Sequence, residues 1–200
     1  MLFRSGQAST HRLHKESHQV LDLELMFQPI TKYSSRLLTP DIIAEVVRKA
    51  FKVAQTEKTG ACFIEFPENI ASMAIDDQPL KIFPHHPPEP AHASIKHAAE
   101  LISNARLPII LAGNGVVRAR AWQQLSQFSE QLNIPVANTF MAKGVIAFKH
   151  PNALGTVGLQ TADYVNVGFS SADVLICTGY DMVDYHPHLW HPNRDRTLNQ

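Results

Sequence analysis

Residues 107–144 decide the fold: Leu107-Pro108-Ile109-Ile110-Leu111-Ala112, the turn Gly113-Asn114-Gly115, an amphipathic segment over 119–132, then Ile134-Pro135-Val136-Ala137 and a close at Lys143-Gly144. Apolar run, glycine turn, helix, apolar run is the pattern of one strand–helix–strand unit in a parallel sheet. The runs do not alternate apolar with polar residues, so these strands are expected to be buried on both faces, as in an α/β fold. Such sheets place ligands at the carboxyl ends of their strands, which directs the question to Gly113 and Gly115. Gly113-Asn114-Gly115-Val116-Val117-Arg118 begins like a dinucleotide fingerprint, but Arg118 occupies the third glycine position, and no acid stands at 133–138, where a ribose would need one. The turn is expected to bend the chain without holding a nucleotide.

Working outward, Ile95, Ala98, Leu101, Ile102 and Ala105 predict a helix leading into the strand at Pro108. After Gly144 an irregular stretch is expected over 145–158, then a short helix over 161–169 and a strand at Val174-Leu175-Ile176-Cys177, ending at Gly179. Three parallel strands with intervening helices make the core of a Rossmann-like domain. Upstream, Thr39-Pro40-Asp41 is a helix start, with a capping hydroxyl, proline at the first helical position and an acid near the positive end of the dipole. Ile42, Ile43, Val46, Val47, Ala50, Phe51 and Ala54 recur at three–four spacing behind it, and Thr59-Gly60 ends it. Ala61-Cys62-Phe63-Ile64-Glu65-Phe66 reads as a strand, closed by Pro67, and 27–33 as a compact loop. Residues 67–91 are rich in proline and are expected to form a connector without regular elements. Residues 1–20 read as a polar, solvated segment supplying no strand. The organisation expected is 1–68, the carboxyl-terminal part of one α/β domain; 69–92, a linker; and 93–200, the Rossmann-like domain, with both ends of the chain cut inside domains.

Equal counts of basic and acidic residues, 18 each, argue against nucleic acid as a partner. No apolar run approaches the roughly 20 residues needed to span a bilayer. No secretory signal is visible at the start, and Cys62 and Cys177 lie inside strands, so reduced thiols in a cytoplasmic protein are expected. Histidines cluster at His11, His14 and His18, at His85 and His86, and at His186, His188 and His191 beside Asp181 and Asp184. None completes a metal-ligand pattern. The first two groups read as solvated segments and the third as an aromatic loop, in which Pro187 and Pro192 forbid a helix. No Gly-x-Ser-x-Gly elbow and no phosphate loop occurs. From the residues alone, no catalytic constellation is complete.

Several motifs, taken in order, resemble the thiamine-diphosphate enzymes. His18-Gln19 followed by Phe27-Gln28-Pro29-Ile30-Thr31-Lys32-Tyr33 is similar to the end of their pyrimidine-binding domain, and in acetolactate synthases a loop glutamine precedes a near-identical Ile-Thr-Lys. Phe66-Pro67-Glu68-Asn69-Ile70, the proline-rich connector, Asn138 to Gly144 and Leu154 to Gly158 follow in the family's order. The run from Gly179-Tyr180-Asp181 through Asp184-Tyr185 and Trp190 to Thr197 is similar to the catabolic, flavin-independent acetolactate synthases. The flavin-containing branch has Gly-x-Arg-Phe-Asp-Asp-Arg there.

The resemblance implies a thiamine-diphosphate- and Mg2+-dependent carboligase, without FAD, that condenses two pyruvates to 2-acetolactate. It also implies a homodimer or homotetramer, because the family binds its cofactor between two subunits. Counting back from Ile30-Thr31-Lys32 puts Gln19 on the family's active-site glutamine, a hydrogen-bonding partner of substrate, although His18 stands where flavin-dependent relatives have phenylalanine. The family's activating glutamate and its Gly-Asp-Gly metal motif find no counterpart in these residues, so residues 1–200 alone are expected to be inactive. Another 2-oxoacid carboligase or decarboxylase, or a non-catalytic nucleotide-binding or structural module, are the competing functions.

Overall fold

The structure, a computed structural model, describes residues 1–76, 78–83, 87–158 and 164–190. The chain divides into two compact units, Met1–Pro88 and Glu89–Gln200.

The first unit is a parallel sheet of three strands, β1 (Leu2–Gln7), β2 (Tyr33–Arg36) and β3 (Cys62–Pro67), in the order β1-β3-β2. β3 lies in the middle and is buried on both faces, which is why its sequence is apolar but for Glu65. Cys62 and Ile64 pack with Ala50, Ala54, Val46 and Val47 of α2 (Ile43–Gln55), the amphipathic helix its sequence predicts. Phe51, expected in the buried stripe, is instead about half exposed at 48%. Thr39 makes no capping hydrogen bond, and the first turn, Pro40–Ile42, is a 3-10 turn. On the other face Phe63 stacks on Phe27 of α1 (Leu23–Phe27), with ring centroids 4.1 Å apart.

Lys32 closes the carboxyl end of α2: its Nζ donates to the carbonyls of Val53, Thr56 and Lys58 at 2.9, 2.7 and 2.6 Å. A cation suits this end, where unpaired carbonyls and the negative pole of the helix coincide. Gly60 gives the lysine its room, since an added Cβ would lie 2.7 Å from Lys32 Cδ.

Three expectations are corrected in this unit. Residues 1–20 do supply a strand, β1, whose Arg4, Ser5 and Gly6 are tolerated because it forms the sheet edge. The compact loop over 27–33 gives way at Tyr33 to the second edge strand. The connector opens with a regular element, α3 (Glu68–Ala71), directly after β3.

In the second unit four parallel strands, β4 (Pro108–Ala112), β5 (Val136–Thr139), β6 (Ala153–Val157) and β7 (Val174–Thr178), take the order β6-β5-β4-β7. Alternate residues of β4 go to opposite cores. Ile109 and Leu111 join Val165 and Phe169 of α7 (Tyr164–Ser171) and Trp190. Ile110 and Ala112 join Val116 and Leu125 of α5 (Asn114–Arg118) and α6 (Trp122–Leu132). Helices on both faces of a parallel sheet are the doubly wound α/β arrangement expected. α6 ends on Asn133 in the left-handed conformation, φ 51°, as asparagine tolerates.

The stretch 145–158 is not irregular throughout, because β6 lies within it. It escaped the apolar signal because it is an edge strand holding Gly155 at φ +117°, beside a register shift between Val136 and Ala137. α4 (His92–Asn104) forms where expected, but Ile95 is 49% exposed and the helix buries no residue fully, with Ile102 as its contact to the core. Pro187 does not forbid a helix either: it opens the single turn α8 (Pro187–Trp190), where a missing first-turn N–H costs nothing.

Two measurements check this packing. Cys62 and Cys177 are free, burial raises both thiols, and Cys177 is pushed up to about 11. The native chain is expected to resist a thiol reagent at pH 8 and to yield two reactive thiols only after unfolding; rapid native labelling would contradict the burial. The Asp173 carboxylate accepts from the backbone N–H groups of Arg106 and Leu107 at 2.8 and 2.9 Å, which, with the Arg106 charge, lowers its pKa. A depressed folded-state pKa gives stability that is present above the unfolded value, about 3.9, and lost as pH falls through the folded value. Asp173→Ala should therefore lower second-unit stability near neutrality and remove part of its decline in acid, read by tryptophan fluorescence.

Candidate functional site

In the first unit a cavity of about 920 Å3 opens at the carboxyl ends of β1 and β3. Its wall includes Gly6, Gln7, Phe66, Glu68 and, from the loop that follows β1, Gln19 and Leu21. This is the end of a parallel sheet where ligands bind, because the strand-to-helix loops converge there. Gln19 is solvent-exposed on the wall and stands at φ 62°, in the left-handed region. Its free carboxamide offers both a donor and an acceptor to a small polar molecule.

The loop bearing Gln19 is tied down at several points. Gln7, 5% exposed, donates from Nε2 to the carbonyl of Leu21, and its Oε1 accepts from Ala8 N at 3.0 Å. Asn69 of α3 reads both sides of Thr10: its Oδ1 accepts from Thr10 N at 2.8 Å and its Nδ2 donates to Thr10 Oγ1 at 2.9 Å. Arg12 donates from Nε to Ser17 Oγ at 2.9 Å and from Nη2 to His18 O at 2.6 Å. Further along, Asp22 caps α1 through Leu25 N at 3.1 Å and meets Arg36 at 3.5 Å. Arg36 in turn grips the fully buried Glu65 with two bonds, 2.6 and 3.3 Å, and this carboxylate raises the Arg36 pKa further.

The wall therefore supplies hydrogen bonding more than charge, with Arg4 and Glu68 as its ionic members. A second cavity of about 870 Å3 lies between α2 and the chain around Leu80 and Phe83; Ile43, Val47 and Phe51 of the α2 stripe line it, and no candidate catalytic or metal-binding residue does.

The described histidines do not converge on a metal site. Among the described residues no group of three or more His, Cys, Asp or Glu side chains is placed to hold a metal ion. His186 and His188 are exposed, and the His186 ring nitrogen accepts from His188 N at 3.2 Å. His85, His86 and His191 lie outside the described residues. Asp181 turns the loop by accepting from Val183 N at 3.2 Å, and Asp184 accepts from Thr139 Oγ1, also at 3.2 Å.

The glycine turn of the second unit faces protein. Gly113 N donates to Thr178 O at 2.9 Å and Gly115 N to Gly179 O at 2.8 Å. A Cβ on Gly113 would sit 2.3 Å from Gly179 O, and one on Gly115 2.6 Å from Gly179 Cα. The small residues let two backbone segments touch at the ends of β4 and β7. Around them, the motif residues of this unit tie the strand ends together. Asn138 donates to Thr156 Oγ1 at 3.0 Å, and the Tyr185 carbonyl accepts from both Tyr180 Oη and Trp190 Nε1, the latter at 3.2 Å. Trp190 also packs against Phe169 and edge-on to Tyr180, as an aromatic loop should.

Gln19, the one catalytic residue predicted from the sequence, lies on the wall of this cavity, as do Phe66 and Glu68 of the motif Phe66 to Ile70. Gln7, Arg12 and Asn69 were missed. A polar residue closing a strand is the one local signal that marks Gln7, whereas the partner of Asn69 is 59 residues away in the chain.

Residues 95–198 match the sequence family described as "Thiamine pyrophosphate enzyme, central domain". The chain is 37% identical over 186 residues to the "Probable acetolactate synthase large subunit" of Methanococcus aeolicus, covering 90% of this chain and 31% of that protein. It is 31% identical over 185 residues to the "Glyoxylate carboligase" of Escherichia coli, covering 91% and 31%. It is 30% identical over 186 residues to the "Acetolactate synthase" of Bacillus subtilis, covering 92% and 33%. The chain thus spans about a third of the length of these relatives.

Proposed function

Since the chain belongs to the thiamine pyrophosphate enzymes, with the central domain of that family over residues 95–198, we propose that it is part of an acetolactate synthase joining two pyruvates to 2-acetolactate with loss of carbon dioxide. The observation that carries the proposal furthest is the position of Gln19. A glutamine picked out by its distance from Ile30-Thr31-Lys32 stands on the wall of a cavity at the carboxyl end of a parallel sheet. Its amide would hydrogen-bond the carbonyl or carboxylate of a bound 2-oxoacid. We assign residues 1–68 to the pyrimidine-binding domain, 69–92 to a linker and 93–200 to the central domain.

When bound, thiamine diphosphate supplies the electron sink for decarboxylation and carbon–carbon bond formation. The described residues do not by themselves fit its diphosphate and Mg2+. No carboxylate or imidazole group of three converges, and Arg4 is the one cation on the cavity wall. What this chain contributes is orientation of substrate at the Gln19 wall and the scaffold of the central domain. Cofactor binding would then require further protein, in keeping with a homodimeric or homotetrameric enzyme. A cytoplasmic location is part of the same proposal; among the described residues no helix is long and apolar enough to cross a membrane. FAD is not expected, because Gly113 and Gly115 spend their N–H groups on Thr178 and Gly179. Titration of the chain with FAD, NAD and ADP should give no heat of binding, and saturable binding would favour the nucleotide-module reading instead.

The similarity to a glyoxylate carboligase favours a second reading, in which a different 2-oxoacid is the donor. Product analysis of the complete enzyme with pyruvate or glyoxylate as sole substrate separates the two. The expected product is 2-acetolactate from pyruvate; condensation of glyoxylate alone would replace the first reading with the second. Gln19→Ala should lower kcat/KM for pyruvate about tenfold or more, as loss of a substrate-orienting hydrogen bond does. Residues 1–200 alone should make no acetolactate.

A further inference from the structure

We propose that Arg12 is a positioning residue for Gln19, fixing the peptide plane that precedes it and thereby the direction of its side chain into the cavity. The inference rests on the reading of Gln19 as a substrate-facing amide.

Gln19 has φ 62°, a conformation that a residue with a Cβ leaves readily unless its surroundings hold it. The angle φ is the rotation between the 18–19 peptide plane and the Gln19 Cα, so whatever fixes that plane limits where Gln19 points. Arg12 Nη2 donates to His18 O, the carbonyl of that very peptide, at 2.6 Å. Its Nε simultaneously donates to Ser17 Oγ at 2.9 Å, so the planar guanidinium sets two consecutive residues at once.

The arginine is itself anchored. It ends the 3-10 turn Thr10–Arg12, where its N–H donates to Ser9 O at 2.8 Å. That turn is bonded through Thr10 to Asn69 in α3, directly after the central strand β3. Two residues beyond Gln19, the Leu21 carbonyl is held by the buried Gln7 at the end of β1. Gln19 is therefore bracketed by a clamp at His18 and another at Leu21, both referred back to the ends of the two strands that border the cavity. Arg12 does not line the cavity itself and acts through the loop.

The test is a double-mutant cycle in the complete enzyme, with Arg12→Ala, Arg12→Lys, Gln19→Ala and the double variant Arg12→Ala/Gln19→Ala. Arg12→Ala should lower kcat/KM for pyruvate about tenfold. The same substitution should cost less than about twofold in the Gln19→Ala background, because coupled residues are not additive. Arg12→Lys, which keeps the charge and one bond to His18 O but loses the fork, should recover part of the activity and provides the reading if Arg12→Ala fails to fold. In parallel, the three-bond HN–Hα coupling of Gln19 in the isotopically labelled chain should lose its left-handed value in Arg12→Ala and keep it in Arg12→Lys.

Full activity of Arg12→Ala beside an impaired Gln19→Ala, or equal losses in both backgrounds, would overturn the proposal. So would an unchanged Gln19 coupling in Arg12→Ala. A fully active Gln19→Ala would instead remove the functional reading of Gln19, and the coupling measurement alone would then decide whether Arg12 sets its backbone.

Discussion

Gly113→Ala is expected to unfold the second unit, with a loss on the order of 3–5 kcal/mol, because a single methyl group has no space between two backbones. The Cβ would lie 2.3 Å from Gly179 O and 2.4 Å from Tyr180 Cα, which are main-chain atoms that no rotamer change can move aside. Gly113 has φ −109° and ψ 179°, extended backbone open to any residue, so the cost is wholly spatial. Relieving the contact means drawing the β4–α5 turn away from the end of β7. That breaks Gly113 N to Thr178 O and Gly115 N to Gly179 O and parts the cores beneath them. Gly179 adds a second constraint at the same contact, with φ +56° and a Cβ position 2.4 Å from Val116 N. Both tryptophans, Trp122 and Trp190, lie in this unit, so the denaturant midpoint followed by their fluorescence reports on it alone. Asn114→Ala, one residue along, should stay within about 0.5 kcal/mol. A nucleotide cradle predicts the opposite outcome: Gly113→Ala folds at normal stability and loses only a ligand. The experiment therefore separates close packing from phosphate binding without requiring a ligand.

What could be read in the sequence follows where each strand lies in its sheet. β3 and β4 have neighbours on both sides and bury both faces, so β4 shows as an unbroken apolar run and β3 as one interrupted by Glu65, which Arg36 pairs. β1, β2 and β6 are edge strands, where Arg4, Ser34, Ser35 and Gly155 meet solvent or a bulge on one side and leave no such run. β7 is also at an edge, yet Leu175 is buried and Ile176 packs on the opposite core, which made it visible. Helix α2 was legible because Val46, Val47, Ala50 and Ala54 of its stripe pack against the sheet, although Phe51 stays half exposed, whereas α4 carries a similar stripe, buries no residue fully and meets its core through Ile102. Periodicity shows that a face is apolar without showing that anything covers it. At the candidate site, Gln19 was reachable only through its spacing to a familiar motif, since an isolated loop glutamine has no signature of its own. The groups that hold its loop, Gln7, Arg12 and Asn69, act on backbone atoms or on partners distant in the chain, and pattern reading sees neither.

The buried pair of Glu65 and Arg36 should give the other large effect, and an asymmetric one. Glu65 is fully buried in the central strand, while the Arg36 side chain keeps 18% exposure and a second carboxylate, Asp22, at 3.5 Å. Arg36→Met strands a carboxylate in the core with no cation to balance its lost hydration, and should destabilise the first unit by about 3–5 kcal/mol. Glu65→Gln should cost less, because the arginine left behind can still turn toward Asp22 and water. Arg36→Lys keeps the charge but gives up the two-bond grip, and should fall between Arg36→Met and the wild type. A joint replacement of both residues by methionine removes the charge and its partner together, and should recover much of the loss from Arg36→Met. With no tryptophan in residues 1–88, the readout is amide hydrogen exchange along β3, Cys62–Pro67, supported by calorimetry. Equal losses from Arg36→Met and Glu65→Gln would mean that the two charges share the burial equally. A stable Arg36→Met would mean that water reaches Glu65 and that the pair lies at the surface of the sheet. The outcome bears on the cavity as well, because Arg36 also meets the residue that caps α1, Asp22, three positions after Gln19. Loosening the pair should therefore raise exchange in the Gln19 loop before the sheet itself opens.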